Sequence, residues 1–225
     1  MSGEGQEVNL GGRNLSWDEV DEDLKRIRTP HCVHHLILSN NNFAAPGLPP
    51  CLDKFSHLLV LDLSMCKLTD SSVLARLTSL EVLNLAWNFL TESGALSTLS
   101  KLKRLNLIGN NLSTVDFWGL PHLEILHLSQ NRLKRVRLVN TAHLHTLSLS
   151  RNGHLPTKLQ TCATQSPERV VEMLSVANLA WQIDLEAVSF LFCWKVAERG
   201  SLLSRLPRDM SRLIATTILK QKQNL

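Results

Sequence analysis

The segment LEVLNLAWNFL (Leu80–Leu90) has leucine at its first, fourth, sixth and eleventh positions and asparagine at its ninth. The same eleven-residue pattern begins at five other places, 21 to 25 residues apart. These copies are VHHLILSNNNF from Val33, LLVLDLSMCKL from Leu58, LKRLNLIGNNL from Leu102, LEILHLSQNRL from Leu123 and LHTLSLSRNGH from Leu144. Six copies in register predict a repeat fold in which each copy builds one structural unit.

The spacing of the leucines within each copy is that of a short β-strand. Leucines at the fourth and sixth positions point inward and the residues between them point outward, because successive side chains of a strand alternate between its two faces. We therefore expect one strand per copy, stacked in parallel. The ninth position is suited to hydrogen bonding with the backbone of adjacent turns; its residues are Asn41, Cys66, Asn88, Asn110, Asn131 and Asn152.

These copies and their asparagine ladder resemble the leucine-rich repeat family, and the 21–22-residue spacing resembles its short intracellular type. The resemblance covers roughly residues 31–156. It implies an α/β fold, a solenoid with a parallel β-sheet on its concave face and only single helical turns on its convex side. It indicates the fold and leaves the ligand open.

Residues 1–30 are predicted to form an N-terminal cap. VNLGGRNL (Val8–Leu15) is a degenerate copy with Arg13 at the asparagine position. Ser16 and Glu19 form an S-x-x-E capping box, which predicts a helix running toward Ile27. Such a cap shields the first core face of a repeat array from water.

Residues 157–225 are predicted to form a C-terminal helical module, part of which should seal the other end of the solenoid. Helical periodicity and start signals place three helices there, beginning near Ser166, Asp184 and Pro207. The segment FLFCWKVAERGSLLSRLPRDMSRLIATTIL in this module resembles the F-box and SOCS-box helices that connect repeat domains to ubiquitin ligases.

Composition and charge describe a soluble folded protein. Apolar residues make up 44% of the chain, and the net charge of +4 is too small to indicate nucleic-acid binding. No apolar run approaches the ~18–20 residues of a membrane span, and the first residues, MSGEGQEVNL, lack the features of a secretory signal. The five cysteines are predicted to be free thiols in a reducing compartment. These features favour a cytoplasmic protein, with a nuclear one as the alternative, and leave the oligomeric state open.

The sequence contains no pattern typical of catalysis or of a cofactor. It lacks a G-x-S-x-G elbow, a phosphate loop and an H-E-x-x-H helix. HCVHH (His31–His35) has metal-binding residue types, but Val33 and Leu36 must face the core, so the others scatter over two sides. We therefore expect no enzyme activity, no cofactor and no metal.

The outward positions of the strands are the candidate binding surface. Positions three, five, seven and eight of each copy should line the concave sheet, and position five forms a mostly polar column. Met65 and Trp87 both stand at position eight, and their composition is that of an interface anchor. Alternatively, Trp87 packs locally on the edge of the solenoid. The predicted partner-binding residues are Asp62, Met65, Asn84, Trp87, Arg104, Asn106, His127, Gln130 and Arg151.

A dense positive cluster follows the fifth strand, on the rim or the convex side; it consists of Arg132, Lys134, Arg135 and Arg137. A charge run without interleaved aromatic residues is typical of a solvated surface. The alternative is a rim contact with an acidic protein, which would mainly accelerate association.

Three hypotheses for the function follow. The first is a non-catalytic module that binds a partner protein on the concave face. The second is a substrate-recognition adaptor of a ubiquitin ligase, which would recruit its machinery through the C-terminal helices. The third is a structural subunit of a cytoskeletal or axonemal assembly, or a regulatory subunit of a phosphatase.

Overall fold

The computed structural model of the chain describes residues 6–44, 47–139 and 141–155. The predicted C-terminal helical module, and with it the F-box and SOCS-box hypothesis, lies outside the described residues. Within the described ranges, no helix has the length and apolarity that crossing a membrane requires.

Each copy of the repeat contributes one short strand to a parallel sheet. The strands of the described residues are β1 (Gln6–Asn9), β2 (Val33–Ile37), β3 (Val60–Asp62), β4 (Val82–Asn84), β5 (Arg104–Asn106), β6 (Thr114–Trp118), β7 (Ile125–His127), β8 (Arg135–Val139) and β9 (Thr146–Ser148). Seven of them form the main sheet, in the order β1-β2-β3-β4-β5-β7-β9. The predicted parallel array is confirmed.

The strands of the main sheet are in register from β2 to β9, so equivalent positions of successive repeats form columns. In the column at position four, Leu61, Leu83 and Leu105 are all buried. The flanking residues are half-buried or exposed, as the alternation of a strand requires. The leucines therefore form one core, and the opposite face of the main sheet, here called the outer face, carries the variable residues.

The ninth position stabilises the turn that follows each strand. Asn88 is buried, and its Oδ1 accepts hydrogen bonds from the backbone N–H groups of Cys66 (3.0 Å) and Leu68 (2.9 Å). Its Nδ2 donates to the carbonyl oxygens of Leu63 (2.8 Å) and Leu85 (3.0 Å). The predicted ladder is confirmed, with equivalent bonds at Asn41, Asn110, Asn131 and Asn152.

Cys66 stands in this ladder where the other copies have asparagine. Its thiol is buried and donates to the Leu38 carbonyl oxygen at 3.1 Å. Burial raises the pKa of this thiol to about 11. Cys66 is therefore a packed neutral thiol that keeps only part of the hydrogen bonding of an amide.

The N-terminal segment caps the sheet as predicted. The degenerate copy forms β1, which pairs with β2, and the helix α1 spans Trp17–Lys25. Both hydrogen bonds of the capping box between Ser16 and Glu19 are present. Val20 and Leu24 on the inner side of α1 are buried in the core, so α1 shields apolar surface next to the first strands.

The side of the repeats opposite the main sheet contains single turns and a second sheet. Three successive repeats have one 3₁₀ turn each, at Pro50–Lys54, Ser72–Arg76 and Gly94–Thr98. In the next two repeats this place is taken by β6 and β8, which pair in parallel. The single turns agree with the family resemblance, whereas the two-stranded sheet was not predicted.

Candidate functional site

The nine predicted partner-binding residues lie on the outer face of the main sheet or in the turns that directly follow its strands. All nine are exposed or half-buried. The register of the sheet places the residues of one column in adjacent repeats, about 4.8 Å apart along the array. The fold therefore brings these residues together on one surface. Their contact with a partner stays a prediction.

In two of the repeats, the residue at position seven is buried and does not belong to this surface. Ala86 and Ser129 were expected to face outward, but only 5% and 7% of their surfaces are exposed. The hydroxyl of Ser129 accepts a hydrogen bond from Oγ of Ser150 in the next repeat at 2.9 Å. The assignment of position seven to the binding face was wrong for these two residues.

Position eight has the same backbone conformation in all six copies. Its residues are left-handed, with φ between +57° and +69°; they are Asn40, Met65, Trp87, Gly109, Gln130 and Arg151. Asparagine and glycine suit this conformation, whereas bulky residues adopt it at a cost of ~1–2 kcal/mol. Met65 and Trp87 are nevertheless exposed over 53% and 48% of their surfaces. The backbone conformation therefore gives no reason for large apolar side chains at these two positions.

Trp87 packs against its neighbour in the next repeat. A Cβ atom on Gly109 would lie only 2.6 Å from Cε3 of Trp87, so the indole ring occupies the space above Gly109. Local packing, the alternative for Trp87, therefore accounts for one side of the ring. The other side is open to solvent.

The ring of Trp87 forms one side of an open depression of about 390 Å³. Gly109 and Asn111 contribute to the lining, and Gln130, Arg132 and Arg151 from the next two repeats complete it. Arg132 is part of the basic run in the sequence, and its position near Trp87 is not predictable from that run. Two repeats separate Arg132 from Trp87 along the array, and both line the same depression.

The polar column at position five has a structural role as well. Oδ1 of Asp62, Asn84 and Asn106 accepts a hydrogen bond from the backbone N–H two residues later, at 2.8, 3.2 and 3.1 Å. Asn9 does the same at 3.0 Å in the degenerate first copy. Such a bond ends the strand by forming an Asx turn. These side chains are therefore partly engaged before any partner binds.

His127 continues the same column with a ring instead of an amide. Its Nδ1 lies 3.1 Å from Oγ of Ser148 in the next repeat. Burial lowers the pKa of His127. The ring is consequently a neutral hydrogen-bonding group on the outer face near pH 7.

Half of the basic run belongs to the second sheet. Arg135 and Arg137 lie on β8, with a nitrogen of each 3.8 and 3.7 Å from Oδ2 of Asp116 on β6. The guanidinium of Arg137 lies 5.4 Å from the ring centroid of Trp118. The run therefore has an aromatic neighbour that the sequence does not reveal, because the two strands are separated along the chain.

The described residues hold no group of three or more histidine, cysteine or acidic side chains that could bind a metal ion. Their three cysteines are free, and of these Cys32 is exposed whereas Cys51 and Cys66 are buried. Burial beside Asp21 raises the pKa of the Cys51 thiol to about 12, so it is unreactive at neutral pH.

Comparison with known proteins agrees with the repeat pattern. Two leucine-rich repeat family models match the chain, one over residues 91–133 and one over residues 56–75. No curated protein matches it in sequence.

Among solved structures, a leucine-rich repeat protein of Leptospira interrogans superposes with a TM-score of 0.51 at 20% identity, over 66% of this chain and 38% of that one. The ectodomain of the membrane receptor kinase GASSHO1/SCHENGEN3 from Arabidopsis thaliana, solved with CASPARIAN STRIP INTEGRITY FACTOR 2, has a TM-score of 0.44 at 29% identity, over 52% of this chain and 15% of that one. This chain thus spans less than two fifths of the length of either structure. The family models thus identify leucine-rich repeats at residues 56–75 and 91–133, and the described residues have the fold of a leucine-rich repeat solenoid.

Proposed function

We propose that this chain is a non-catalytic interaction module that binds a partner protein on the outer face of the main sheet, centred on Trp87. One observation carries this proposal: Met65 and Trp87, at the same position of neighbouring repeats, are each about half exposed. Both also hold a backbone conformation that bulky residues seldom adopt.

The chemistry of this surface suits protein recognition. Tryptophan, methionine and arginine are enriched in the buried centres of protein interfaces, and a few such residues supply most of the binding energy. Arg104 and Gln130, in the two repeats after Trp87, add groups that can hydrogen-bond a partner. Because the sheet fixes the backbone of these columns, little backbone freedom is lost on binding.

The experiment begins with site-specific photo-crosslinking in the cells that express the protein. Substituting p-benzoylphenylalanine for Trp87 in one variant and for Trp118 in another places the same probe on the two sheets. Trp118 is a matched control because 51% of its surface is exposed, close to the value of Trp87. A protein crosslinked at position 87 and absent at position 118 is then purified as the candidate partner.

Direct titration of that purified protein tests the proposal. Trp87→Ala should weaken binding by about thirtyfold or more, as expected for the central residue of an interface. Trp118→Ala should leave the affinity nearly unchanged. If Trp87→Ala binds like the unaltered chain, the outer face is not the binding surface.

The roles of ubiquitin ligase adaptor, cytoskeletal or axonemal subunit and phosphatase regulator stay predictions. The adaptor role concerns the C-terminal helices, outside the described residues. The other two are compatible with the same outer face, and the identity of the crosslinked protein separates them.

A further inference from the structure

We propose that the depression beside Trp87 binds an acidic peptide segment of the partner protein. An aspartate or glutamate carboxylate of the segment pairs with Arg132 and Arg151, and an apolar side chain next to it packs on the Trp87 ring. This inference rests on the proposed function, because the segment occupies part of the same surface.

The depression exists because one repeat has no side chain at position eight. Gly109 stands between Trp87 and Gln130 in that column. The indole of Trp87 lies against the backbone of Gly109, which gives one apolar wall. Asn111 and Gln130 add amide groups that can hydrogen-bond a peptide backbone.

The opposite wall has uncompensated positive charge. Arg132 and Arg151 are exposed residues of consecutive repeats, and no acidic residue contributes to the lining. Within the described residues, neither forms a salt bridge, whereas Arg135 and Arg137 are close to Asp116. Two guanidinium groups free of acidic partners can bind a carboxylate in the bidentate geometry that arginine favours.

The size of the depression favours a peptide over a nucleic acid. A volume of about 390 Å³ lies at the small end of ligand pockets, ~300–1,000 Å³. It suits a few side chains of an extended segment. A single-stranded nucleic acid needs a positive groove that follows several phosphates, with bases stacked on successive aromatic residues. Trp87 is the one aromatic residue in the lining.

The test uses the full chain and a random peptide library displayed on phage. We expect the selected peptides to contain aspartate or glutamate next to an aromatic or large aliphatic residue. Their affinities for two double variants and two single variants of the chain are then measured by fluorescence polarisation. These are Arg132→Glu with Arg151→Glu, the control Arg28→Glu with Arg76→Glu, Trp87→Ala, and Trp118→Ala.

The control pair changes the net charge by the same amount at two exposed arginines elsewhere. Charge reversal at Arg132 and Arg151 should lower the affinity of acidic peptides by about tenfold or more. The control pair should change this affinity by less than about twofold. The reversed chain, selected again, should prefer peptides containing lysine or arginine. Because all four arginines are exposed, circular dichroism should show that every variant folds.

The remaining outcomes separate the inference from the proposed function. In one outcome, the selected peptides lack acidic residues, lose affinity in Trp87→Ala and keep their affinity when Arg132 and Arg151 are replaced by glutamate. That result overturns the inference and leaves the proposed function intact. Peptides that lose affinity in Trp118→Ala and keep it in Trp87→Ala overturn both the inference and the proposed function. A selection that yields no binding peptide also overturns both. A labelled oligothymidylate that binds through Arg132 and Arg151 more tightly than any peptide overturns the inference in favour of nucleic acid.

Discussion

Asn88 shows how one side chain holds two repeats together. Its amide makes five hydrogen bonds with backbone groups, at 2.8 to 3.3 Å, in a site that is 2% exposed. No other side chain of similar size offers both two donors and two acceptor sites in the same plane. This requirement explains why asparagine recurs where the chain leaves each strand.

Asn88→Ala should lower the free energy of unfolding by ~2–4 kcal/mol, because it leaves buried backbone donors and acceptors without partners. Urea denaturation followed by circular dichroism measures this loss. Asn111→Ala is the control, since Asn111 is half-buried and directly follows the ladder residue Asn110. Equal losses in the two variants would contradict the structural role of the ladder.

His127 makes stability depend on pH. Because burial lowers its pKa, the folded chain binds fewer protons than the unfolded chain between that lowered pKa and the ordinary value of ~6.5. Its contribution to stability is therefore complete above pH ~6.5 and decreases as the pH falls through this window.

Replacing His127 with Asn follows the residue type of the same column, as at Asn84 and Asn106. The urea midpoint of the unaltered chain should fall more between pH 7.5 and pH 5.5 than that of His127→Asn. If both midpoints fall equally, His127 does not have the lowered pKa.

The second sheet shows what alternation means within one element. In β6, Val115 and Phe117 are fully buried, whereas Thr114 and Trp118 are exposed. The same alternation recurs in β8, where Val136 is buried. These strands replace the 3₁₀ turns of earlier repeats, because β-branched and aromatic residues at every second position favour an extended backbone.

Phe117→Ala should lower the free energy of unfolding by ~3–5 kcal/mol, because it removes a large buried ring and leaves a cavity. Trp118→Ala, one residue along the strand, should cost far less, since half of its surface is already exposed. Thermal denaturation of both variants measures the difference. Similar losses would show that β6 does not present alternate residues to core and solvent.

The main sheet was predictable because its signal is repeated and chemically specific. Leu83 and Leu105 recur at fixed intervals, and only a stacked array buries all such leucines together. β6 and β8 were missed because each occurs once and β8 contains a conspicuous charge run. In the sequence, Arg135 and Arg137 have the pattern of a charge run. In the structure, Val136 between them is buried and fixes the inner side of the strand.

The candidate site was predictable only in part. Met65 and Trp87 are exposed as predicted, but strand alternation does not explain it, because each lies two residues after an inward leucine, beyond the strand, where the backbone is left-handed. The depression was not predictable, since it depends on the way the Trp87 ring lies over Gly109. A side-chain orientation of this kind depends on packing between repeats, which a pattern within one repeat does not contain.

At the level of the whole molecule, recognition requires that the outer face be accessible in the complete chain. An interface centre must be open in the free protein and lose its water on binding. Met65 and Trp87 report on this condition directly, because their side chains are sensitive to oxidation. Trp118 reports on the second sheet, and the half-buried Trp17 on the cap.

Hydroxyl-radical footprinting of the full chain, read by mass spectrometry, tests the account most directly. In the free protein, Trp87 should be oxidised about as fast as Trp118 and faster than Trp17. Adding the crosslinked partner should slow the oxidation of Trp87 and Met65 and leave Trp118 unchanged. Slow oxidation of Trp87 in the free chain, or protection of Trp118 in its place, would contradict the account.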